Sequence, residues 1–222
     1  MSYIAHVEPF VRPCDPPVRG FLHSSDAAAT NAVILTHGAG SNAQAPLLVA
    51  LAEFFCANGF AVLRCDLPYR QSRPYGPPGP GDAARDRAGL KNAIAALREL
   101  GYSGISLGGH SYGGRQASML CAEVQDLAGA LLLLSYPLHP PRKPEQLRTQ
   151  HFTGLRTPTL FVSGTKDPFA SIPEIEQAIK QIPGKTTLLV VEGAGHDLGF
   201  KGKARREDLP ATILEAFLKF LR

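Results

Sequence analysis

The sequence predicts an α/β fold, with a mostly parallel central sheet of about eight strands and helices on both faces. Short apolar runs rich in branched residues alternate with stretches whose apolar residues recur at helical spacing. Runs such as Ala32–Thr36 and Ala130–Ser135 are continuously apolar, as in strands buried on both sides of a parallel sheet. With 222 residues, 44% of them hydrophobic, the chain can build one substantial core, so we expect a single domain over residues 1–222.

Strands and helices are expected to alternate after two antiparallel strands near the start of the chain. The first helix, Ala45–Phe55, has its leucines and phenylalanines at helical spacing and is stopped by Asn58-Gly59. Residues Pro68–Gly81 carry five prolines and three glycines, a composition that we expect to exclude regular structure. The last helix, Leu209–Leu221, has one apolar face. The predicted strands are about Ile4–Val11, Val18–His23, Ala32–Thr36, Phe60–Cys65, Ile105–Gly108, Ala130–Ser135, Thr159–Ser163 and Thr187–Val191, and the other helices are about Asp82–Leu100, Gln116–Val124 and Pro173–Gln181.

Charge and cysteine content argue against several function classes. The 23 Lys and Arg are interspersed among 19 Asp and Glu, for a net charge of +4, so we expect no nucleic-acid partner. The four cysteines show neither CxxC spacing nor a neighbouring histidine pattern, which predicts reduced thiols and no metal site. Neither GxGxxG nor the full P-loop spacing GxxxxGK[ST] occurs, so no cofactor is expected. Met1–Phe10 lacks signal-peptide features, and no apolar run reaches the ~18 residues of a membrane span. We expect a cytoplasmic protein that does not bind membranes, as a monomer or homodimer.

The segment Gly109–Gly114 (GHSYGG) fits the GxSxG pattern between a predicted strand and a predicted helix. A turn this tight forces Ser111 into a strained backbone conformation and raises its hydroxyl above the sheet. The amide of Tyr112 then points toward the same space from the helix N-terminus. A plain strand-to-helix turn remains the alternative, because glycine and serine are common in such turns.

A serine hydroxyl becomes a nucleophile when a base lies within hydrogen-bond reach and an acid orients that base. Asp167 follows one predicted strand, and His196 lies in a glycine-rich loop after the next strand. Taken separately, Asp167 also fits a turn or helix cap and His196 a solvated loop residue, and Asp197 and Glu192 are rival acids. The order Ser, Asp, His is that of the α/β-hydrolase fold. We therefore predict Ser111 as nucleophile, His196 as general base and Asp167 as the orienting acid.

The loop Thr36–Gly40 (THGAG) follows an earlier strand, where lipases and esterases of this fold keep a glycine-rich oxyanion loop. We predict that the amides of Ala39 and Tyr112 hold the oxyanion. His37 is a possible second base, but we expect it to brace the loop. The residues predicted to contact substrate are Gly38, Gly40, Tyr69, Arg70, Arg73, His110 and Tyr136.

Two arginines of the proline-rich loop, Arg70 and Arg73, have no acid nearby in the sequence. An arginine fork there suits a substrate carboxylate, although a solvated surface arginine is the commoner outcome. Between Ser135 and Thr159 the chain is too short for a helical cap domain. We expect a stiff loop with at most one short helix, and hence a minimal lid over an open, shallow site.

At these residues the chain resembles the dienelactone-hydrolase-like branch of the α/β-hydrolases, and within it the family typified by the testis-expressed and NSL-complex subunit proteins. The resemblance implies an α/β-hydrolase fold and the same triad. Dienelactone hydrolases use a cysteine nucleophile, whereas this chain has Ser111. The blocks that carry the resemblance are Thr36–Gly40, Gly109–Arg115, Ser135–His139 (SYPLH), Leu160–Gly164 with Asp167, and Gly195-His196 with Lys201–Lys203.

The expected function is therefore that of a serine hydrolase that cleaves small or exposed carboxylic esters through an acyl-serine intermediate. The alternatives are an acyltransferase, thioesterase or peroxidase-like use of the same triad, and a catalytically silent binding or scaffold protein that has kept the fold. An intact triad argues against the scaffold.

Overall fold

The computed structural model describes residues 5–25, 29–200 and 206–222. Within these ranges, one eight-stranded sheet is flanked by six α-helices and a short 3₁₀ helix, Phe152–Gly154. The strands are β1 (Ala5–Arg12), β2 (Val18–Ser25), β3 (Asn31–Thr36), β4 (Ala61–Asp66), β5 (Gly104–His110), β6 (Ala130–Leu134), β7 (Thr159–Gly164) and β8 (Thr186–Val191). The helices are α1 (Pro46–Ala57), α2 (Pro68–Ser72), α3 (Asp82–Glu99), α4 (Tyr112–Glu123), α5 (Ile172–Ile179) and α6 (Leu209–Leu221).

The sheet order is β1-β2-β4-β3-β5-β6-β7-β8, and only the pairings made by β2 are antiparallel. One core packs α1 and α6 against one face, and a second packs α3, α4 and α5 against the other. Strand β6 is buried along its whole length, as its uninterrupted leucines predict. The predicted α/β fold with helices on both faces is confirmed.

Parallel pairing brings the carboxyl ends of four strands to one edge of the sheet. Thr36 at the end of β3 pairs with Gly109 in β5, and Gly164 at the end of β7 pairs with Val191 at the end of β8. The loops that leave these strands therefore meet above the same edge, where open α/β sheets bind their ligands.

Most predicted boundaries agree with the structure to within two residues, but two segments differ. The prediction that residues 68–81 lack regular structure is wrong, because α2 begins at Pro68, whose fixed φ suits a first helical position. Helix α4 begins at Tyr112, four residues before the predicted start at Gln116, because its glycines serve close packing instead of breaking the helix. The predicted start of the first strand, Ile4, lies outside the described residues.

The segment after β6, where a lid would be inserted, contains only the 3₁₀ helix before β7 begins. This agrees with the predicted minimal lid. No helix in the described ranges is long and apolar enough to cross a membrane.

Candidate active site

Ser111 lies in the tight turn between β5 and α4. Its φ of 51° and ψ of −115° are rare for a residue with a side chain, so the turn is strained. Backbone hydrogen bonds hold it on both sides, from the Ser111 amide to the Leu134 carbonyl (2.8 Å) and from the Arg115 amide to the Ser111 carbonyl (3.0 Å). The serine is thus fixed where the sequence motif predicts it.

The glycines around Ser111 are required by close backbone approach. A Cβ on Gly109 would lie 2.8 Å from the backbone of Gly113 and Gly114, so strand and helix nearly touch. A Cβ on Gly113 would lie 2.6 Å from both the His37 carbonyl oxygen and the Thr36 side chain. Distances below about 3 Å exclude any larger residue unless the backbone shifts, which explains the GxSxGG pattern.

The structure brings Ser111, His196 and Asp167 into one hydrogen-bonded chain. Ser111 Oγ lies 2.8 Å from His196 Nε2, and His196 Nδ1 lies 2.8 Å from Oδ2 and 3.0 Å from Oδ1 of Asp167. The Asp167 side chain is 1% exposed and the His196 side chain 23% exposed. A buried carboxylate at this distance fixes the tautomer with hydrogen on Nδ1, which leaves the Nε2 lone pair facing the serine hydroxyl.

The loops that carry Asp167 and His196 are bound to each other. The Lys166 amide donates to the Ala194 carbonyl (2.8 Å), and a Cβ on Gly164 would lie 2.2 Å from that same oxygen. The Phe169 amide donates to Asp167 Oδ1 (2.9 Å), so the carboxylate is held from both sides. The positions of Asp167 and His196 are therefore determined by the β7–β8 pairing and by the contacts between their loops.

Two rings flank the His196 imidazole. The Phe169 ring lies against it, with centroids 4.1 Å apart and planes tilted by 32°. His110 Nε2 donates to the His196 carbonyl (2.7 Å), which leaves Nδ1 of His110 unprotonated beside Gly38. Burial lowers the pKa of His110 to about 4, so this ring is neutral near pH 7.

A cavity of about 330 Å³ opens at Ser111 and His196. The predicted residues Gly38, Ala39, Gly40 and His110 line it, together with His37, Ser41 and Asp197. Its apolar wall was missed: it consists of Ala45, Pro46, Leu47, Leu48, Phe169 and Phe200. The apolar spacing of the first helix was visible in the sequence, but nothing there showed that the start of the helix lines the same cavity as Ser111.

His37 braces the glycine-rich loop, as predicted. It is fully buried; Nδ1 lies 2.9 Å from the Gly38 carbonyl, and the Leu67 amide donates to Nε2 (3.1 Å). Burial lowers its pKa, which keeps the ring neutral in this double role. In the described part of the chain, the amides of Ala39 and Tyr112 have no protein acceptor.

Four of the residues predicted to contact substrate do not line this cavity. Tyr136 is fully buried and donates to the Arg148 carbonyl (2.7 Å), and Tyr69 is 2% exposed beneath the glycine-rich loop. Arg70 is 7% exposed and donates only to backbone carbonyls. Arg73 is exposed, but it forms an ion pair with Asp82, an acid nine residues away that the sequence argument overlooked.

Among the described residues, no group of three or more His, Cys, Asp or Glu side chains is placed to hold a metal ion. The Lys201–Lys203 block of the family resemblance lies outside the described residues.

Comparison with solved structures places the fold among known hydrolases. A dienelactone hydrolase from Anabaena variabilis is 21% identical with a TM-score of 0.75, and all of both chains are covered. An esterase from Pyrococcus furiosus is 17% identical with a TM-score of 0.74, over 98% of this chain and 90% of that one. An α/β serine hydrolase without a lid from Xanthomonas campestris is 14% identical with a TM-score of 0.70, over 97% and 94%. At these identities the likeness concerns the fold. A family model described as the alpha/beta hydrolase domain matches residues 29–219, and the chain therefore belongs to the alpha/beta hydrolases.

Proposed function

We propose that this protein is a serine hydrolase that cleaves small or exposed carboxylic esters through an acyl-serine intermediate. The observation that carries the proposal is the unbroken hydrogen-bond chain Ser111–His196–Asp167 at the mouth of an apolar cavity. Family membership supports hydrolase chemistry in general, and the geometry supplies a nucleophile, a base and an orienting acid within hydrogen-bond reach.

In the first half-reaction, Ser111 Oγ forms a bond to the ester carbonyl carbon while its proton passes to His196 Nε2. Asp167 stabilises the resulting imidazolium through Nδ1–H. The tetrahedral intermediate then collapses, the bond to the alcohol oxygen breaks, and His196 gives its proton to that oxygen.

In the second half-reaction, a water molecule takes the place of the alcohol. His196 removes a proton from the water as its oxygen attacks the acyl carbon, and the acid is released when Ser111 regains its proton. No residue of segment 135–158, where a lid would be inserted, lines the cavity, which leaves the site accessible to water and favours hydrolysis over transfer to another acceptor.

Two features support an oxyanion hole at the amides of Ala39 and Tyr112. Tyr112 is the first residue of α4, where the amide has no partner within the helix and the helix dipole favours negative charge. A Cβ on Gly38 would lie 3.5 Å from the Ser111 Cβ, so the Ala39 loop passes directly beside the nucleophile. Preorganised amides of this kind contribute about 10²–10³ in rate.

The cavity favours a small apolar acyl or alkoxy group. Its volume of about 330 Å³ and its wall of leucine, proline and phenylalanine side chains suit short aliphatic or single-ring esters. The narrower resemblance to the testis-expressed and NSL-complex subunit family stays a hypothesis beside this one, and so does a scaffold role.

The test is labelling with a fluorophosphonate probe, followed by intact mass. Wild-type protein is expected to gain one adduct and Ser111→Ala none. Ser41→Ala is the matched control, because it removes a hydroxyl from the same cavity wall and should label like the wild type. An ester panel from acetate to octanoate then measures the acyl preference. A wild-type protein that has a native circular dichroism spectrum but neither labels nor turns over any ester would favour the scaffold.

A further inference from the structure

Arg70 is a buried guanidinium that makes hydrogen bonds only to the backbone. Nε donates to the Ser41 carbonyl (2.7 Å), Nη1 to Arg73 (3.0 Å), and Nη2 to Ala39 (3.0 Å) and Gly76 (2.8 Å). Of the carboxylates in the described ranges, none forms an ion pair with it. Burying a charge is costly unless its donors are satisfied, so this arginine is used to hold backbone in place.

Two of the four carbonyls that Arg70 holds belong to the loop beside the nucleophile. In a trans peptide, the carbonyl and the following amide point in opposite directions. Fixing the Ala39 carbonyl therefore fixes the plane of the Ala39–Gly40 peptide. The Tyr69 hydroxyl shares the task, 2.9 Å from the Ala39 carbonyl and 3.3 Å from the Gly38 carbonyl. The Gly38 carbonyl, which His37 Nδ1 also contacts at 2.9 Å, precedes the Ala39 amide, so holding this carbonyl directs the amide to the opposite side.

A buried carboxylate connects the contacts of Arg70 and Tyr69 to Tyr112, whose amide is the second one of the predicted oxyanion hole. The Tyr69 amide donates to Asp86 Oδ1 (3.0 Å), and the Tyr112 hydroxyl donates to Oδ2 (2.7 Å). Asp86 is fully buried, and the Tyr69 and Tyr112 rings meet edge to face with centroids 5.8 Å apart. Tyr69 in α2, which holds the Ala39 loop, and Tyr112, which carries the second amide, are thus joined through Asp86 in α3.

We infer that Arg70 is a positioning residue, which with Tyr69 and Asp86 sets the relative orientation of the Ala39 and Tyr112 amides. This inference rests on the proposed function for its catalytic consequence, but the bracing itself does not. A misplacement of about 1 Å at a catalytic group costs about 10² in rate, so loosening the loop should affect the transition state far more than substrate binding.

The first test measures bracing without activity. Hydrogen exchange followed by mass spectrometry is compared in wild type, Arg70→Met, Tyr69→Phe and Arg73→Met. Arg73→Met is the matched control, because Arg73 lies three residues along the chain and its side chain pairs with Asp82 at the surface. Faster exchange in peptides covering residues 37–44 is expected for Arg70→Met and Tyr69→Phe and not for Arg73→Met. Unchanged exchange in the first two variants overturns the inference, whatever the activity of the wild type.

The second test asks whether the brace acts on the oxyanion. For Arg70→Met, kcat for p-nitrophenyl acetate should fall about 10²-fold while KM changes less than about threefold. Inhibition by a trifluoromethyl ketone, which forms an oxyanion adduct with the serine, should weaken in parallel, and millimolar guanidinium should restore part of kcat. Tyr69→Phe, which keeps the ring, should show the same pattern more weakly.

The outcomes separate the two proposals. A wild type that neither turns over ester nor binds the ketone refutes the proposed function, and the exchange result still decides the bracing. An active wild type with a folded Arg70→Met variant of unchanged kcat and ketone affinity refutes the positioning role alone. If Arg70→Met has a lower kcat, a higher KM and a lower melting temperature, and guanidinium does not restore kcat, the arginine is merely structural and the inference is refuted.

Discussion

Replacing Asp167 by Asn tests the proposed mechanism at the residue whose contacts are best defined. The Phe169 amide donates to Oδ1 of Asp167 (2.9 Å), so an asparagine keeps its carbonyl oxygen there and places its NH₂ at the Oδ2 position. That position lies 2.8 Å from His196 Nδ1. The nearer partner of Nδ1 then becomes a donor, while the Oδ1 acceptor stays at 3.0 Å, so we expect the imidazole to accept from the NH₂ at Nδ1 and to carry its hydrogen on Nε2.

With that tautomer, the proton on Nε2 faces the Ser111 hydroxyl and the base is lost. A serine protease with this substitution loses about 10⁴ in kcat, and we expect a similar loss here, equivalent to about 5 kcal/mol of transition-state stabilisation. The Asp167 side chain is 1% exposed and asparagine has nearly its shape, so the fold should be retained.

The assay compares kcat for p-nitrophenyl acetate, together with the melting temperature, in wild type, Asp167→Asn and Glu192→Gln. Glu192 is the exposed rival acid; it accepts from the Thr165 hydroxyl (3.1 Å), and its substitution should leave kcat within about twofold. An Asp167→Asn protein that melts like the wild type and keeps a tenth or more of its kcat would refute the tautomer argument.

Two further predictions concern stability. Gly113→Ala should lower the free energy of unfolding by about 1–3 kcal/mol, since the added Cβ would lie 2.6 Å from the His37 carbonyl, whereas Gly40→Ala, with open space around its Cβ, should be nearly neutral in urea unfolding. Burial, and then the charge of Arg64, lower the pKa of His23 to about 4, so the unfolded chain binds the proton more readily than the folded one. The contribution of a neutral His23 to the free energy of unfolding is therefore complete above about pH 6.5. It is lost as the pH falls toward 4, by up to about 3 kcal/mol. In His23→Gln, the free energy of unfolding should differ less between pH 7 and pH 4.5 than it does in the wild type. An equal loss of unfolding free energy between pH 7 and pH 4.5 in both proteins would rule out His23 as the cause of the pH dependence.

The proximity of Ser111, His196 and Asp167, the predicted triad, could be inferred from the sequence because all three lie just after strands. A parallel sheet brings the carboxyl ends of its strands together, so the positions of Ser111, Asp167 and His196 along the chain already implied their proximity. The rival acid Glu192 was discarded on the same argument, since it does not end a strand of its own ahead of the histidine.

The surroundings of the triad could not be predicted in this way, because they depend on contacts between distant segments. In the sequence Arg70 is an arginine in a proline-rich stretch. Whether its guanidinium meets solvent or the carbonyls of Ala39 and Ser41 depends on a loop about thirty residues earlier. One local signal was available, since a proline such as Pro68 often occupies the first position of a helix.

Several costly positions of this chain lie around Ser111, which is itself an argument for function. Ser111 has a positive φ, and Arg70 and Asp86 are buried ionisable side chains held by hydrogen bonds. Each is a departure that costs stability, on the order of 1–3 kcal/mol for a strained residue, and none improves the packing of either core. A protein that needed only the fold would gain stability by losing them. Their joint presence around Ser111 favours a site kept for chemistry over a silent scaffold.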